Sequence, residues 1–536
     1  MNNTSSFKVL FLIALIGTVV GCKSEPADRP EETPAEAVEK TPASEATAES
    51  EATAAMDDPE SQPGVIVMDA DQLLANRLPA EQASQGWVRL FDGQTFFGWQ
   101  IASQANWQID DGVLSVDDGE KGLICTTMRW RDYQLSLEFK ASPETNSGVF
   151  LRTNLFPTDP TVDCYELNIA SADNPFPTGS LVQREPKSSA DIAAFDYDVW
   201  HRYDIRVEGA TVNVKLDGVE ILNYVDPNPL PAGLIGLQYN GGPAAFRDIR
   251  VRPLGLDSLI SETIEDHWVR YPEMEGDYQM TDDGMQITGG RAQLESKAQY
   301  DDFALLAEVR TNAAALNSGI FFRCIPGDVM MGYECQISNA TIEGDPMFPA
   351  DCGTGGFFRR KDARIVAADD QEWFSMLLIA DGSTMATWVN GLQVSEWSDD
   401  REPDANPRKG QRLEAGTLML QAHDPTTDIH IRQLAVATLA APVEEAKPEA
   451  KEEVKPEAKE EAKEEAKEEA KEEAKEEAKE EPKPEMKEEP KEEAKPEAKE
   501  EKKPEVKEEA KPEAKEEAKP EVKEEAKPET AEETKE

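Results

Sequence analysis

Histidine and basic residues are scarce in this sequence. Only four of its 536 residues are histidine, which argues against a metal centre built from several histidines. Lys and Arg total 56 against 108 Asp and Glu, and the resulting formal net charge of -52 opposes binding to the phosphates of nucleic acids. A neutral ligand such as a sugar suits this balance. Calcium on carboxylates and carbonyls stays open, and no other cofactor is indicated.

Long apolar runs are also missing, apart from one near the N-terminus. Residues 9–20 are apolar, follow the single positive charge of Lys8 and end in "VVGC". Twelve residues are too few to span a bilayer comfortably as a helix, so residues 1–22 read as an export signal. The small residues before Cys22 resemble the lipobox of bacterial lipoproteins. That resemblance implies a protein anchored to a membrane through lipid on Cys22, facing the periplasm or the cell surface; a plain signal peptide is the alternative.

Cysteine is limited to five residues after Cys22, and their spacing matches no zinc motif. An exported compartment permits disulfides, and Cys324–Cys352 is the bridge we favour. The alternative is five small buried apolar side chains.

Bulky apolar residues are rare in two long segments. Residues 23–65 are rich in Glu, Ala, Pro, Ser and Thr and predict a disordered linker. Residues 442–536 form a low-complexity Lys/Glu/Pro/Ala tail, in which 39 Glu and 23 Lys after residue 442 give a net charge of -16. Residues 457–481 lack Pro and permit partial helix, whereas the rest predicts an extended polyelectrolyte.

The middle of the chain repeats itself. "NSGVFLR" at residues 146–152 returns as "NSGIFFR" at residues 317–323, and "CYELNI" at 164–169 returns as "GYECQI" at 332–337. Three further blocks, beginning at Thr178, Trp200 and Gly233, reappear in the same order with offsets of about 170–185 residues. The pattern indicates a tandem duplication, with domains at residues 66–254 and 255–441, each long enough for its own core.

Each copy reads as all-β. Runs such as "YQLSLEF" and "TVNVKL" alternate or are rich in β-branched and aromatic residues. "LDGVEI" and "VNGLQV" carry the Asp-Gly and Asn-Gly pairs of type I′ hairpins. Many short strands with tight turns predict two β-sandwiches.

The period of two along a strand predicts a polar face in each copy. In the second copy, Ile320, Phe322 and Cys324 would face inward, as would Tyr333, Cys335 and Ile337. The first copy gives the same alternation. The residues expected together on the outer face are Arg152, Glu166, Asn168, Gln238 and Asn240 in the first copy, and Arg323, Glu334, Gln336, Gln421 and His423 in the second. Either this is a polar cleft or it is a solvated surface with ion pairs.

The motifs "LFDGQTFFGWQ", "NSGVFLR", "YELNI" and "GLQYNGG" resemble the 3-keto-disaccharide hydrolase domain family. The resemblance covers residues 86–254 and, through the middle and end motifs, 267–440. It implies a concanavalin-A-like jelly roll in each copy. The second copy lacks the "LFDG" opening, and the first has Asn240 where the family often carries the histidine that the second keeps as His423.

The resemblance also implies a chemistry. A carbonyl at C3 of a sugar acidifies the C2 proton, so a base can start an elimination that expels the glycosidic oxygen, and water then adds. Glu166 or Glu334 would be the base, Arg152 or Arg323 would stabilise the oxyanion, and His423 would donate a proton. Gln238 and Gln336 complete the candidate sites. The alternative function is a non-catalytic surface protein that binds glycans.

Overall fold

The computed structural model describes residues 68–188 and 195–439, which belong to one compact unit. The predicted signal peptide, the lipidation site Cys22, the linker and the tail lie outside the described residues. Two short helices come first, α1 at Ala70–Ala75 and α2 at Ala80–Ser84. The Asp69 side chain caps α1 by accepting a hydrogen bond from the backbone N–H of Gln72. Within the described ranges no helix has the length and apolar character needed to cross a membrane.

The first copy forms two antiparallel sheets. Its strands are β1 Val88–Arg89, β2 Trp99–Ile101, β3 Gln108–Asp110, β4 Val113–Val116, β5 Gly122–Thr126, β6 Tyr133–Ala141, β7 Asn146–Thr153, β8 Tyr165–Ala170, β9 Trp200–Glu208, β10 Thr211–Leu216, β11 Val219–Val225, β12 Leu234–Tyr239 and β13 Ala244–Pro253. The larger sheet has the order β11-β10-β9-β6-β13-β4-β3, with β1 also on β13. The smaller sheet has the order β2-β5-β12-β7-β8.

The second copy repeats this topology strand for strand. After β14 Asp257–Ser258 and a 3₁₀ turn at Ile264–Asp266, its strands are β15 Trp268–Arg270, β16 Gly276–Thr281, β17 Gly284–Gly289, β18 Ala292–Tyr300, β19 Phe303–Thr311, β20 Ser318–Cys324, β21 Tyr333–Ile337, β22 Phe374–Asp381, β23 Thr384–Val389, β24 Leu392–Ser398, β25 Gly416–Ala422 and β26 Asp428–Thr438. The larger sheet runs β24-β23-β22-β19-β26-β17-β16, with β14 on β26, and the smaller runs β15-β18-β25-β20-β21. The prediction of two tandem all-β sandwiches is confirmed.

The sequence alternation is visible in the packing. Val149 and Leu151 of β7 lie in the main core of the first copy, whereas Phe150 between them belongs to a separate cluster on the other face of the small sheet. The predicted hairpin turns also form, because Asp217 and Gly218 both adopt left-handed φ values of 50° and 80°.

The two sandwiches share an apolar interface. The core cluster of the first copy includes Trp388 and Leu377 from the large sheet of the second, and the rings of Trp130 and Trp388 lie 6.0 Å apart. Arg364 of the second copy pairs with Asp92 of the first at 2.8 Å. The large sheet of the second copy therefore buries both of its faces.

The five cysteines after Cys22 are free and buried. The favoured Cys324–Cys352 bridge is therefore wrong. Cys324 packs with Phe321 and Met419 on the outer face of the small sheet, opposite to the inward direction expected for it.

Candidate functional site

The outer face of the small sheet in the first copy combines polar and apolar side chains. The strand register places Glu166 of β8 opposite Phe150 of β7, and Phe150 opposite Gly236 of β12. Two residues further along β8 and β12, Asn168 and Gln238 occupy the same face. The predicted grouping of Glu166, Asn168 and Gln238 on one face is thus present.

Glu166 is a buried carboxylate, with only 9% of the residue exposed. Burial raises the pKa of Glu166, and a hydrogen bond with Gln238 offsets part of that rise. Phe150 and the neighbouring Leu123 and Cys125 form the apolar surround that withdraws water from this carboxylate. A carboxylate of this kind is a stronger base than one in water.

The amide oxygens beside Glu166 are unpartnered. The Nδ2 group of Asn168 donates to the carbonyl of Phe176, which fixes the orientation of the amide and leaves Oδ1 without a protein donor. The Oε1 atom of Gln238 is likewise buried without a donor. Because a buried acceptor without a donor is costly, both oxygens favour a bound water that donates hydrogen bonds.

The second copy places a similar set on its small sheet. Glu334 lies opposite Phe321, and Gln336 lies opposite Gly319 on the same strand pair. The Nε2 group of Gln336 donates to Asn317 Oδ1 at 3.2 Å and to Asp351 Oδ2 at 3.1 Å. Its Oε1 is consequently turned away from these acceptors and, like Oε1 of Gln421, has no donor.

Two residues of the second copy were missed by sequence reasoning. Glu295 and Gln293 of β18 occupy the same outer face, opposite Met419 and Gln421 of β25. Glu295 accepts hydrogen bonds from Gly327 N at 3.1 Å and Thr417 Oγ1 at 2.7 Å, and also from Tyr271. Gln293 accepts from Met330 N at 2.7 Å and donates to Asp328 O at 3.0 Å. The alternation in "AQLES" could have placed both side chains on this face.

These contacts tie the loop of residues 325–332 to the small sheet of the second copy. Register places Leu123 and Cys125 of the first copy where the second has Gln293 and Glu295. The first copy therefore has apolar side chains where the second has polar groups that hold a loop.

The expected position of Arg152 on the polar face is wrong. Strand β7 contains one extra residue between the pairs Phe150–Gly236 and Thr153–Leu234, and Arg152 takes a left-handed φ of 46° in this bulge. Alternation fails at such a residue. The guanidinium is buried, and it donates at 2.7–2.9 Å to the carbonyls of Arg131, Gly209 and Leu230 and to Asp132.

Arg323 repeats this arrangement, with a φ of 50° and a fully buried side chain. It donates to the carbonyls of Asp301 and Gly382 at 2.9 and 2.6 Å and to Asp302 at 2.9 Å. Burial lowers the pKa of Arg323. Arg152 thus ties the segment before β6 to the loops at Gly209 and Leu230, and Arg323 ties the segment before β19 to the turn at Gly382. The donors of both arginines are bound within the protein.

The same family model matches each of the two copies separately. Residues 86–252 and 258–437 match the model of the 3-keto-alpha-glucoside-1,2-lyase-like domain. Together these matches cover well over half of the chain. The chain belongs to this family. A 3-keto-disaccharide hydrolase of Bacteroides thetaiotaomicron is 24% identical over 238 residues, covering 33% of this chain and 81% of that protein.

Similar solved structures cover about one third of the chain each. The carbohydrate-binding module CBM66 of Bacillus subtilis is 13% identical, with a TM-score of 0.24, over 32% of this chain and 96% of its own. A Bacillus subtilis protein of unknown function with a galectin-like fold is 16% identical, with a TM-score of 0.22, over 30% of this chain and 90% of its own.

The histidine position differs between the two lyase-like domains, as the sequence indicated. His423 follows the end of β25, and its Nδ1 lies 3.0 Å from Asp424 Oδ2. Burial acts to raise the pKa of Asp424, but hydrogen bonds from Thr426 and His423 outweigh it and hold the pKa below its ordinary value. In the first domain, Asn240 instead donates its backbone N–H to Asn146 O at 3.1 Å.

A metal site was left open by the sequence. Within residues 68–188 and 195–439, no group of three or more His, Cys, Asp or Glu is arranged to hold a metal ion. His201 lies 2.7 Å from both Asp217 Oδ2 and the carbonyl of Asp196, so both of its ring nitrogens have partners.

Proposed function

We propose that the first lyase-like domain cleaves 3-keto-disaccharides or 3-keto-glycosides by base-assisted elimination followed by hydration. The observation that carries this proposal is Glu166, a buried carboxylate of raised pKa on the outer sheet face. The family match and the name of the Bacteroides relative support a glycoside-hydrolase-like function of this kind.

The chemistry needs a base placed against C2 of the sugar. The Glu166 carboxylate removes the C2 proton, which the C3 carbonyl acidifies, and the C1–O bond breaks with its electrons passing to the leaving oxygen. The leaving oxygen takes the proton that Glu166 has accepted, which restores the carboxylate. Water then adds across the new C1–C2 double bond, placing hydroxyl on C1 and hydrogen on C2, so the net reaction is hydrolysis.

The side-chain amides of Asn168 and Gln238 lie on the same face as Glu166, and amides are groups that exchange hydrogen bonds with sugar hydroxyls. Arg152 does not stabilise the enolate, because its donors are bound by backbone carbonyls and Asp132. A conventional glycosidase would need two facing carboxylates about 5–10 Å apart. The first domain offers Glu166 with amides beside it, which favours elimination.

The test is release of free sugar from 3-keto-trehalose by the purified chain, with and without a chelator. We expect Glu166→Gln to abolish release, because the amide cannot accept the C2 proton, while Glu334→Gln in the second domain retains it. If sugar release is lost in Glu334→Gln and kept in Glu166→Gln, the catalytic base lies in the second domain. Loss of activity on chelation would add a metal to the first site.

A glycan-binding protein without catalysis is the second candidate. It is favoured by the second domain, where the donors of Gln336 are bound by Asn317 and Asp351 and the neighbouring loop is tied down. Binding of trehalose or 3-keto-trehalose with no release of sugar, by a protein that is folded, would establish this function instead.

Export and lipid attachment at Cys22 complete the proposal, on the strength of the "VVGC" segment. Expression in a bacterium should place the wild-type chain in the membrane fraction with a lipid mass on its first peptide. Cys22→Ala should remove that mass. An unmodified Cys22 in the mature chain contradicts the anchor.

A further inference from the structure

A cavity of about 640 Å³ lies where the two domains meet. The first domain lines it with Thr127, Arg129, residues 152–155, residues 162–163 and residues 230–234. The second domain contributes residues 381–384, the tight turn between β22 and β23. Neither domain alone forms this space.

The cavity lies beside the apolar cluster on the sheet face that carries Glu166. Leu234 and Leu155 line the cavity, and both pack in the cluster that contains Phe150, the residue opposite Glu166. Thr153 lines it too, and because of the bulge its register position is only two residue spacings from that of Phe150, about 7 Å at 3.3 Å per residue. One ring of a disaccharide at Glu166 would therefore direct the other ring towards the cavity.

Polar groups in the cavity are held in fixed positions. Arg129 crosses the domain junction, and its Nε lies 2.8 and 2.9 Å from the two carboxylate oxygens of Asp381. The Arg129 side chain remains 46% exposed, and among the described residues no protein acceptor contacts its Nη1. Asn154 uses Oδ1 to accept from the Phe156 N–H at 2.9 Å, which leaves its Nδ2 donors for a ligand.

An acceptor and an apolar floor complete the set. Asp163 binds Thr158 N through Oδ2 at 2.8 Å, and hydrogen bonds from Thr158 and Asp159 lower its pKa, so it stays ionised. Leu155, Leu234 and Pro231 supply apolar surface. Fixed donors, an acceptor and an apolar floor suit the hydroxyl groups and the C–H face of a sugar ring.

We infer that this cavity is the subsite for the leaving-group sugar, so that the second domain shapes the substrate range of the first. The inference rests on the proposed function and extends it, because it assigns the substrate a neutral sugar as its leaving group rather than a small alcohol. The turn at residues 381–384 is then a specificity element: Asp381 positions Arg129, and Ser383 and Thr384 bound the space.

The test fills the cavity and compares two substrates. Ser383→Trp places a large ring in the cavity from the second domain, and Ala232→Phe does so from the first. Ala210→Trp is the matched control, since the sequence repeat aligns Ala210 with Ser383 and Ala210 lies outside the cavity lining. The substrates are 3-keto-trehalose and methyl 3-keto-α-glucoside, which differ only in the leaving group.

We expect both filling variants to lower kcat/KM for 3-keto-trehalose by about tenfold or more, with little change for the methyl glycoside and no change in Ala210→Trp. Equal effects on the two substrates, or none on either, overturn the inference. If the wild-type chain converts neither substrate, the proposed function fails and the cavity is judged by trehalose binding. Weaker binding in both filling variants then supports a sugar subsite, and unchanged or absent binding rejects it.

Discussion

Arg364 and Asp92, from different domains, form an ion pair at 2.8 Å with side-chain exposures of only 10% and 4%. Arg364 Nε also donates to the carbonyl of Gln393 at 2.9 Å. Asp92 in turn accepts hydrogen bonds from Gln94 N and Thr95 N at 2.9 and 2.7 Å. The pair therefore fixes the "LFDG" segment of the first domain against the second.

Removing the cation of this pair should be costly. Arg364→Met leaves the Asp92 carboxylate buried without its counter-ion, and breaking a buried pair in this way costs about 3–5 kcal/mol in the free energy of unfolding. Arg206→Met removes an exposed pair, with exposures of 39% and 53%, and should change stability by less than about 1 kcal/mol. Urea unfolding of both variants measures the difference. Similar small losses would mean that the interface does not depend on Arg364.

The pH dependence of sugar release should report Glu166. As the proposed base it must be ionised, and its pKa lies above the ordinary value of 4.5 because of burial. We expect kcat/KM for 3-keto-trehalose to fall as the pH is lowered through that raised pKa, so the acid limb lies above pH 4.5. An acid limb at or below pH 4.5 would exclude Glu166 as the titrating base.

The same pKa shift predicts that Glu166 destabilises the fold at neutral pH. A carboxyl group whose folded pKa is raised binds its proton more tightly when folded, so stability falls as pH rises from the unfolded pKa through the folded one. Glu166→Gln should therefore unfold at higher temperature than the wild type at pH 7, with the advantage shrinking towards pH 4. A destabilised Glu166→Gln at pH 7 would show that the ionised carboxylate makes favourable contacts that outweigh its burial.

The polar face was predictable because side chains alternate along a regular strand. Tyr165, Leu167 and Ile169 face the core as expected, which leaves Glu166 and Asn168 on the other side. A one-residue bulge interrupts the alternation of side chains between the two faces. For that reason the predicted faces of Arg152, Arg323 and Cys324 were wrong. The contacts between domains, including the cavity at Asp381, depend on how two folded surfaces meet, and one-dimensional patterning does not encode that geometry.

The bulge arginines should act on stability rather than on the chemical step. Arg152→Lys keeps a positive charge but cannot reproduce contacts with three carbonyls and Asp132, so we expect a loss of about 2–4 kcal/mol in unfolding free energy. At a temperature where the variant is folded, kcat for 3-keto-trehalose should stay within about twofold of the wild type. A large drop in kcat with unchanged stability would restore the predicted role of Arg152 at the oxyanion.

The loop of residues 325–332 should loosen when its polar anchor is replaced by the residue of the first domain. Gln293→Leu introduces the side chain type found at Leu123, and it removes the acceptor for Met330 N and the donor to Asp328 O. Each lost hydrogen bond is worth about 1 kcal/mol, so amide exchange in this loop should accelerate about fivefold or more. Gln279→Leu on exposed β16 is the control and should leave the loop unchanged. Hydrogen exchange measured by mass spectrometry separates these outcomes. Equal protection in Gln293→Leu and wild type would mean that the remaining contacts, among them Glu295 with Gly327 N and Arg408 with Met330 O, hold the loop.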